Sequence, residues 1–215
     1  MMSGSVISIK NVSKKFGDQC VLKNINVEFC KGSINGLIGR NGSGKTMLLK
    51  CICGFITPTE GNVYVWNKQV GKDSDFPESL GFIIESPGFL PKDSALKNLK
   101  YIASIKQVIG LERIRESIKL VGLDPDNRKP VGKYSLGMRQ RLGIAQAIME
   151  NPDILILDEP MNGLDNHGVD DIRKLLLNLK EEGKTILIAS HSSEDIDILC
   201  DTVHEMDAGV LKKVR

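Results

Sequence analysis

No stretch of this sequence approaches the roughly 18 consecutive apolar residues that a bilayer-spanning helix needs. Its opening residues, Met1-Met2-Ser3-Gly4-Ser5, lack the basic-then-apolar order of a secretory signal, so the chain is expected to stay in the cytoplasm. Histidine is scarce, with three residues, which excludes a histidine-rich metal centre. The five cysteines (Cys20, Cys30, Cys51, Cys53 and Cys200) form an odd set without paired metal-ligand spacing and are expected as free thiols. Neither sign of charge is in surplus: 29 Lys+Arg against 27 Asp+Glu leaves a net charge of +2, which argues against a dedicated nucleic-acid binder. Fixed-period repeats, low-complexity tracts and a long coiled-coil insertion are also missing, which disfavours repetitive scaffolds and DNA-maintenance machines.

What is present suits one compact unit: 215 residues, 41% hydrophobic, with 21 glycines for tight turns. The near-neutral total conceals a gradient. Residues 1–50 carry 8 basic and 2 acidic side chains, whereas residues 151–215 carry 7 basic and 14 acidic. Two copies could attract head to tail, or a basic anion site could face an acidic metal site.

Short strands are expected at 6–12, 24–29 and 34–38, then a helix over 45–53 closed by Gly54. Residues 86–149 have a different texture, with Pro87, Pro91, Pro125 and Pro130 punctuating helical stretches. Apolar stripes at Leu96, Leu99 and Ile102, at Ile114, Ile118 and Val121, and at Leu142, Ala145 and Ile148 predict a helical insertion there. Strand and helix then alternate through 154–157, 169–179, 185–189 and 193–200, which predicts a parallel sheet, and 203–206 pairs with 210–214 at the end.

The strongest local signal is Gly39-Arg40-Asn41-Gly42-Ser43-Gly44-Lys45-Thr46, a phosphate-loop pattern between an apolar strand and a helix. Its amides can wrap phosphate oxygens, Lys45 can neutralise the terminal phosphates, and the Thr46 hydroxyl can reach Mg²⁺. Downstream, Ile154-Leu155-Ile156-Leu157-Asp158-Glu159 ends a continuous apolar strand in two carboxylates. Asp158 can hold Mg²⁺ directly or through water, and Glu159 can accept a proton from an attacking water.

With these motifs in order, and with Tyr134-Ser135-Leu136-Gly137-Met138 as a near-match to the family signature, essentially the whole chain resembles the nucleotide-binding domain of an ABC transporter. The resemblance implies an α/β P-loop NTPase with a mixed sheet core, an N-terminal antiparallel β subdomain and a helical signature-bearing insertion at 86–149. It implies two domains packed head to tail, enclosing ATP and Mg²⁺ between the phosphate loop of one and Ser135 and Gly137 of the other. A helix over 139–149 is expected to follow this signature.

It further assigns His191 to contact with the terminal phosphate or the attacking water, Asp165 to communication across the dimer, and Phe16 to adenine stacking. Glu159 is the preferred general base. Glu85 stands where most members have a metal-sensing glutamine, and Leu136 and Met138 replace glycine and glutamine of the commonest signature. Both departures resemble the branch of bacitracin- or lantibiotic-type exporters. The implied partner is a separate transmembrane permease binding near Glu85 and the insertion, with the chain peripheral on the cytoplasmic face of the membrane. A soluble ABC-type ATPase for protein-complex assembly is the alternative.

Overall fold

A computed structural model describes residues 4–215; Met1–Ser3, part of the stretch read above against a secretory signal, lie outside the described residues. The chain opens with two long antiparallel strands, β1 (Ser5–Phe16) and β2 (Gln19–Cys30), joined by a tight turn in which Gly17 has φ +55°. Register shifts let both strands run well beyond the expected segments. With β4 (Glu60–Val65) and the short β5 (Lys68–Gln69) they form a four-stranded sheet in the order β2-β1-β4-β5.

The second sheet positions the site. Its six strands are β3 (Ile34–Ile38), β6 (Leu80–Ile83), β7 (Ile154–Asp158), β8 (Thr185–Ala189), β9 (Thr202–Asp207) and β10 (Val210–Lys213), in the order β10-β9-β3-β8-β7-β6. All neighbours are parallel except the terminal hairpin β9–β10, so the sheet is mixed. Every residue of β7 and β8 is buried, which explains why both read as unbroken apolar runs.

Helix α1 (Lys45–Cys53) leaves β3 through the glycine loop and stops at Gly54, whose φ of +84° caps its last carbonyls. Between β6 and β7 the chain is helical: α2 (Ala95–Lys106), α3 (Leu111–Leu120) and α4 (Leu136–Ile148). The three expected stripes supply Leu99, Ile114, Ile118, Leu142 and Ala145 to one apolar cluster. Helix α4 begins at Leu136, not at Arg139 as expected, because the Ser135 hydroxyl accepts from Met138 N at 3.2 Å and caps it there. Gly137 therefore lies within the first helical turn. Helices α5 (Asn166–Glu181) and α6 (Ser193–Leu199) follow β7 and β8. A second cluster joins the small sheet to α1 through Leu22, Phe29, Leu48, Ile52 and Met206. Among the described residues, no helix is long and apolar enough to cross a membrane.

Candidate functional site

Three neighbouring parallel strands, β3, β8 and β7, deliver their carboxyl ends to the same edge of the sheet. The phosphate loop leaves β3, Ser190-His191 leaves β8, and Asp158-Glu159 closes β7. That edge is where open α/β sheets receive ligands.

The loop is shaped by glycines with no alternative. Gly39 has φ +142°, and a Cβ there would lie 2.2 Å from the Met206 carbonyl oxygen; Gly42 and Gly44 have φ +78° and +115°. The β9–β10 turn buttresses the loop, with Gly209 N donating to Ser43 O at 2.9 Å. Lys45, nearly buried, turns back so that Nζ donates to Gly39 O at 2.6 Å and Arg40 O at 3.2 Å. The Ser43 hydroxyl is buried without a protein partner. An oxyanion in the loop would give this hydroxyl an acceptor.

Thr46 Oγ1 donates to Asp158 Oδ2 at 2.7 Å, so a hydroxyl and a carboxylate meet at the start of α1. These hard oxygens suit Mg²⁺, which keeps waters and phosphate oxygens as its other ligands. Accordingly, the described residues contain no cluster of three or more His, Cys, Asp or Glu able to hold an ion alone.

Glu159 is held in a left-handed conformation at φ +49°, uncommon for a residue with a side chain. Its N–H donates to Ala189 O at 2.8 Å, and its carbonyl accepts from Gln140 Nε2 at 3.2 Å. Its carboxylate Oε2 lies 2.8 Å from His191 Nδ1. With a carboxylate as acceptor Nδ1 carries the proton, so Nε2 accepts from a water in the neutral ring and donates to a phosphate oxygen in the protonated one. Glu85, at φ +60° just beyond β6, pairs with Lys50 Nζ at 2.7 Å, one helical turn past Thr46.

The remaining expected residues lie elsewhere. Ser135, Gly137 and Asp165 line a separate cavity of about 700 Å³ with Arg141 and His167. Asp165 caps α5, its Oδ1 accepting from Gly168 N at 2.9 Å, so both Ser135 and Asp165 serve as helix caps. Phe16 is half exposed at the end of β1 with Lys14 Nζ 4.9 Å from its ring centre. Sequence reasoning missed Gln140, the Met206–Gly209 buttress and the charged cluster on Arg173. An arginine on the otherwise apolar face of Ile172, Leu175, Leu176 and Leu179 was the available signal for the last.

A family model described as ABC transporter matches residues 22–162, from β2 through the carboxylates of β7 and the loop beyond. The chain belongs to the ABC transporter family. This family member is 49% identical over 207 residues to the uncharacterized ABC transporter ATP-binding protein YybJ of Bacillus subtilis, covering 96% of this chain and 95% of that one. It is 39% identical over 213 residues to the bacitracin transport ATP-binding protein BcrA of Enterococcus faecalis, covering 98% of this chain and 69% of that one. The dimeric post-hydrolysis structure of the ATP-binding cassette MJ0796, bound to ADP and Pi, superposes with a TM-score of 0.86 at 27% identity, covering 97% of this chain and 99% of that one. The chain is an ABC transporter ATPase, related to peptide- and drug-exporter ATPases, with ATP and Mg²⁺ as its ligands.

Proposed function

We propose that this ATPase works as a head-to-tail pair and powers a separate membrane permease that exports an antimicrobial peptide or drug. The observation that carries the pairing is the separation of two half-sites on one chain. Lys45, Thr46, Asp158, Glu159 and His191 gather at the sheet edge, while Ser135, Gly137 and Asp165 line another cavity. Two chains joined head to tail would close each sheet edge with the other chain's Ser135.

In this reading the loop amides, the Ser43 hydroxyl and Lys45 hold the phosphates, with Arg40, Asn41 and the loop glycines shaping the cradle. Bound Mg²⁺, with Thr46 and Asp158 as its protein ligands, would neutralise charge on the terminal phosphates. Glu159 accepts the proton of the attacking water, and His191, fixed through Nδ1, presents Nε2 toward the terminal phosphate or that water. Phe16 stacks on adenine, Asp165 communicates between chains, and Glu85 reports on the metal. Tight binding of ATP to the closed pair and its loss on hydrolysis would drive closing and reopening.

Residues 86–149 are proposed to act as a signature-bearing unit that, with Glu85, receives the permease at the cytoplasmic face of the membrane. Outside that unit, and beside the strand that ends two residues before Glu85, Phe55 packs edge-on against Phe82 of β6 and against Phe76, with ring centres 4.9 and 6.0 Å apart, so that the exposed Phe55 and Phe76 offer the permease an apolar patch. Export is supported by the relatives named for bacitracin and lantibiotic transport, which match over 92–98% of this chain, and by Glu85 itself. Reconstitution with the permease, ATPase face outward, tests it. Export appears as ATP-driven accumulation of peptide in the vesicle lumen; ATP-driven loss of preloaded peptide would contradict it. Copurification with soluble assembly factors and no permease would favour the assembly reading.

A further inference from the structure

A charge cluster joins α5 to the start of α6, the helix that follows His191. Arg173 lies on α5, and Asp195 lies in the first turn of α6, whose cap Ser192 directly follows His191. Arg173 Nε and Nη2 both donate to Asp195 Oδ1, at 2.9 and 2.6 Å, and Nη1 donates to Glu194 Oε1 at 3.2 Å. Arg173 is 9% exposed and Asp195 4%. Asp195 also donates its N–H to Ser192 Oγ at 3.3 Å, so one residue ties the arginine to the cap beside His191.

The far end of α6 is anchored differently. Ile196 and Leu199 enter the apolar core, and the Arg215 guanidinium donates to the carbonyls of Ile196 and Cys200 at 2.9 and 2.8 Å. On the site side a polar cavity of about 460 Å³, lined by Glu159, Asn162, Asn166, Arg173, His191 and Glu194, separates the loop after β7 from the loop after β8. Packing does not fill that space, and Arg173, Glu194 and Asp195 are all among its lining residues.

We propose that Arg173 is a positioning residue that sets the contact between His191 and Glu159 by fixing the amino end of α6 to α5, the helix that Asp165 caps. The fixed donor fork of a guanidinium can grip Asp195 and Glu194 together, which a lysine ammonium cannot reproduce. The inference rests on the roles given to Glu159 and His191 above.

Leaving one member of a buried ion pair alone destabilises a fold, so the informative variant removes both charges. The full chain carrying Arg173→Leu with Asp195→Leu is compared with the native chain by melting temperature, by long-range proton–nitrogen NMR of the histidine rings, and by Mg²⁺-dependent phosphate release. The expected result is a melting temperature within a few degrees of native and loss of the His191 Nδ1–H signature. Turnover falls by about tenfold or more with KM for ATP within about twofold, as a misplaced catalytic group predicts. An unchanged His191 signature, or turnover within about threefold of native, overturns the proposal. Should the double variant fail to fold, Arg173→Lys is read by the same criteria. Glu159→Gln separates the two ideas: if it hydrolyses ATP normally, the assigned base is wrong, while the ring signature still decides on Arg173.

Discussion

Thr46 and Asp158 meet at 2.7 Å although their strands are not neighbours: β8 lies between β3 and β7. The bond is possible because α1 starts immediately past the phosphate loop and brings Thr46 over the intervening strand end. His191 emerges from that intervening strand, so the Thr46–Asp158 pair and the Glu159–His191 pair share one edge. A phosphate loop alone requires no such arrangement. In the proposed mechanism that edge stabilises the charge of a terminal phosphate and orients the attacking water.

Glu159→Gln keeps the side-chain volume and can still accept from His191, but it no longer offers a basic carboxylate. Turnover is expected to fall by about 100-fold or more while Mg-ATP binding persists, measured as phosphate release beside equilibrium nucleotide binding. Chelation of Mg²⁺ should abolish hydrolysis in the native chain. Equal loss of binding and turnover in the variant would reassign Glu159 from chemistry to the nucleotide pocket.

Gly39→Ala forces a Cβ to within 2.2 Å of the Met206 carbonyl and a side chain onto φ +142°. Destabilisation of about 1–3 kcal/mol from backbone strain alone is expected, together with loss of nucleotide binding. Denaturant unfolding and nucleotide titration check both. Unchanged binding would mean that the loop is not the phosphate cradle.

His204, on β9, is buried against Phe29 with ring centres 5.4 Å apart, and its Nδ1 has no partner. Burial, aided by Lys213, lowers its pKa below the ordinary 6.5. The unfolded chain therefore takes up the proton first. Stability present above the unfolded value is lost as pH falls toward and through the lower folded value. Thermal melts between pH 7.5 and 5 should show this loss, and His204→Phe should reduce it. An identical pH slope in the variant would place the effect elsewhere.

The five thiols should divide by burial. Burial pushes Cys51 up to about 11 and Cys200 up to about 12, and raises Cys53 as well. Cys30 is exposed and Cys20 half-buried. An alkylating reagent at pH 8 is expected to modify Cys30 and Cys20 in the folded chain and the other three only after denaturation, read by mass spectrometry.

The parts of the fold legible from sequence are those whose burial is complete or whose loop chemistry is local. Strands β7 and β8 are largely apolar runs because both faces are covered, and the glycine pattern marks its own turn. Strands β4 and β6 are not legible in the sequence because Gly61 and Gly81 interrupt their patterns and their partners β1 and β7 are distant in sequence. The sequence pattern puts the start of α4 three residues late, since Gly137 weakens the helical signal that the Ser135 cap nevertheless begins. At the site, individual residue types announced their chemistry. The Glu159–His191 contact, the Gln140 bond and the Arg173 cluster depend on how five separate elements, β7, β8, α4, α5 and α6, pack, which no local pattern encodes.

The most direct test of a shared site mixes two inactive chains, one carrying Lys45→Ala and the other Ser135→Arg. In a head-to-tail pair, the mixed dimer has one site that joins an intact Lys45 from one chain to an intact Ser135 from the other. The expected result is Mg²⁺-dependent phosphate release from the mixture that clearly exceeds the sum of the two preparations alone. Hydrolysis in the mixture no greater than that sum, with mixed dimers demonstrably formed, would contradict a site built from two chains.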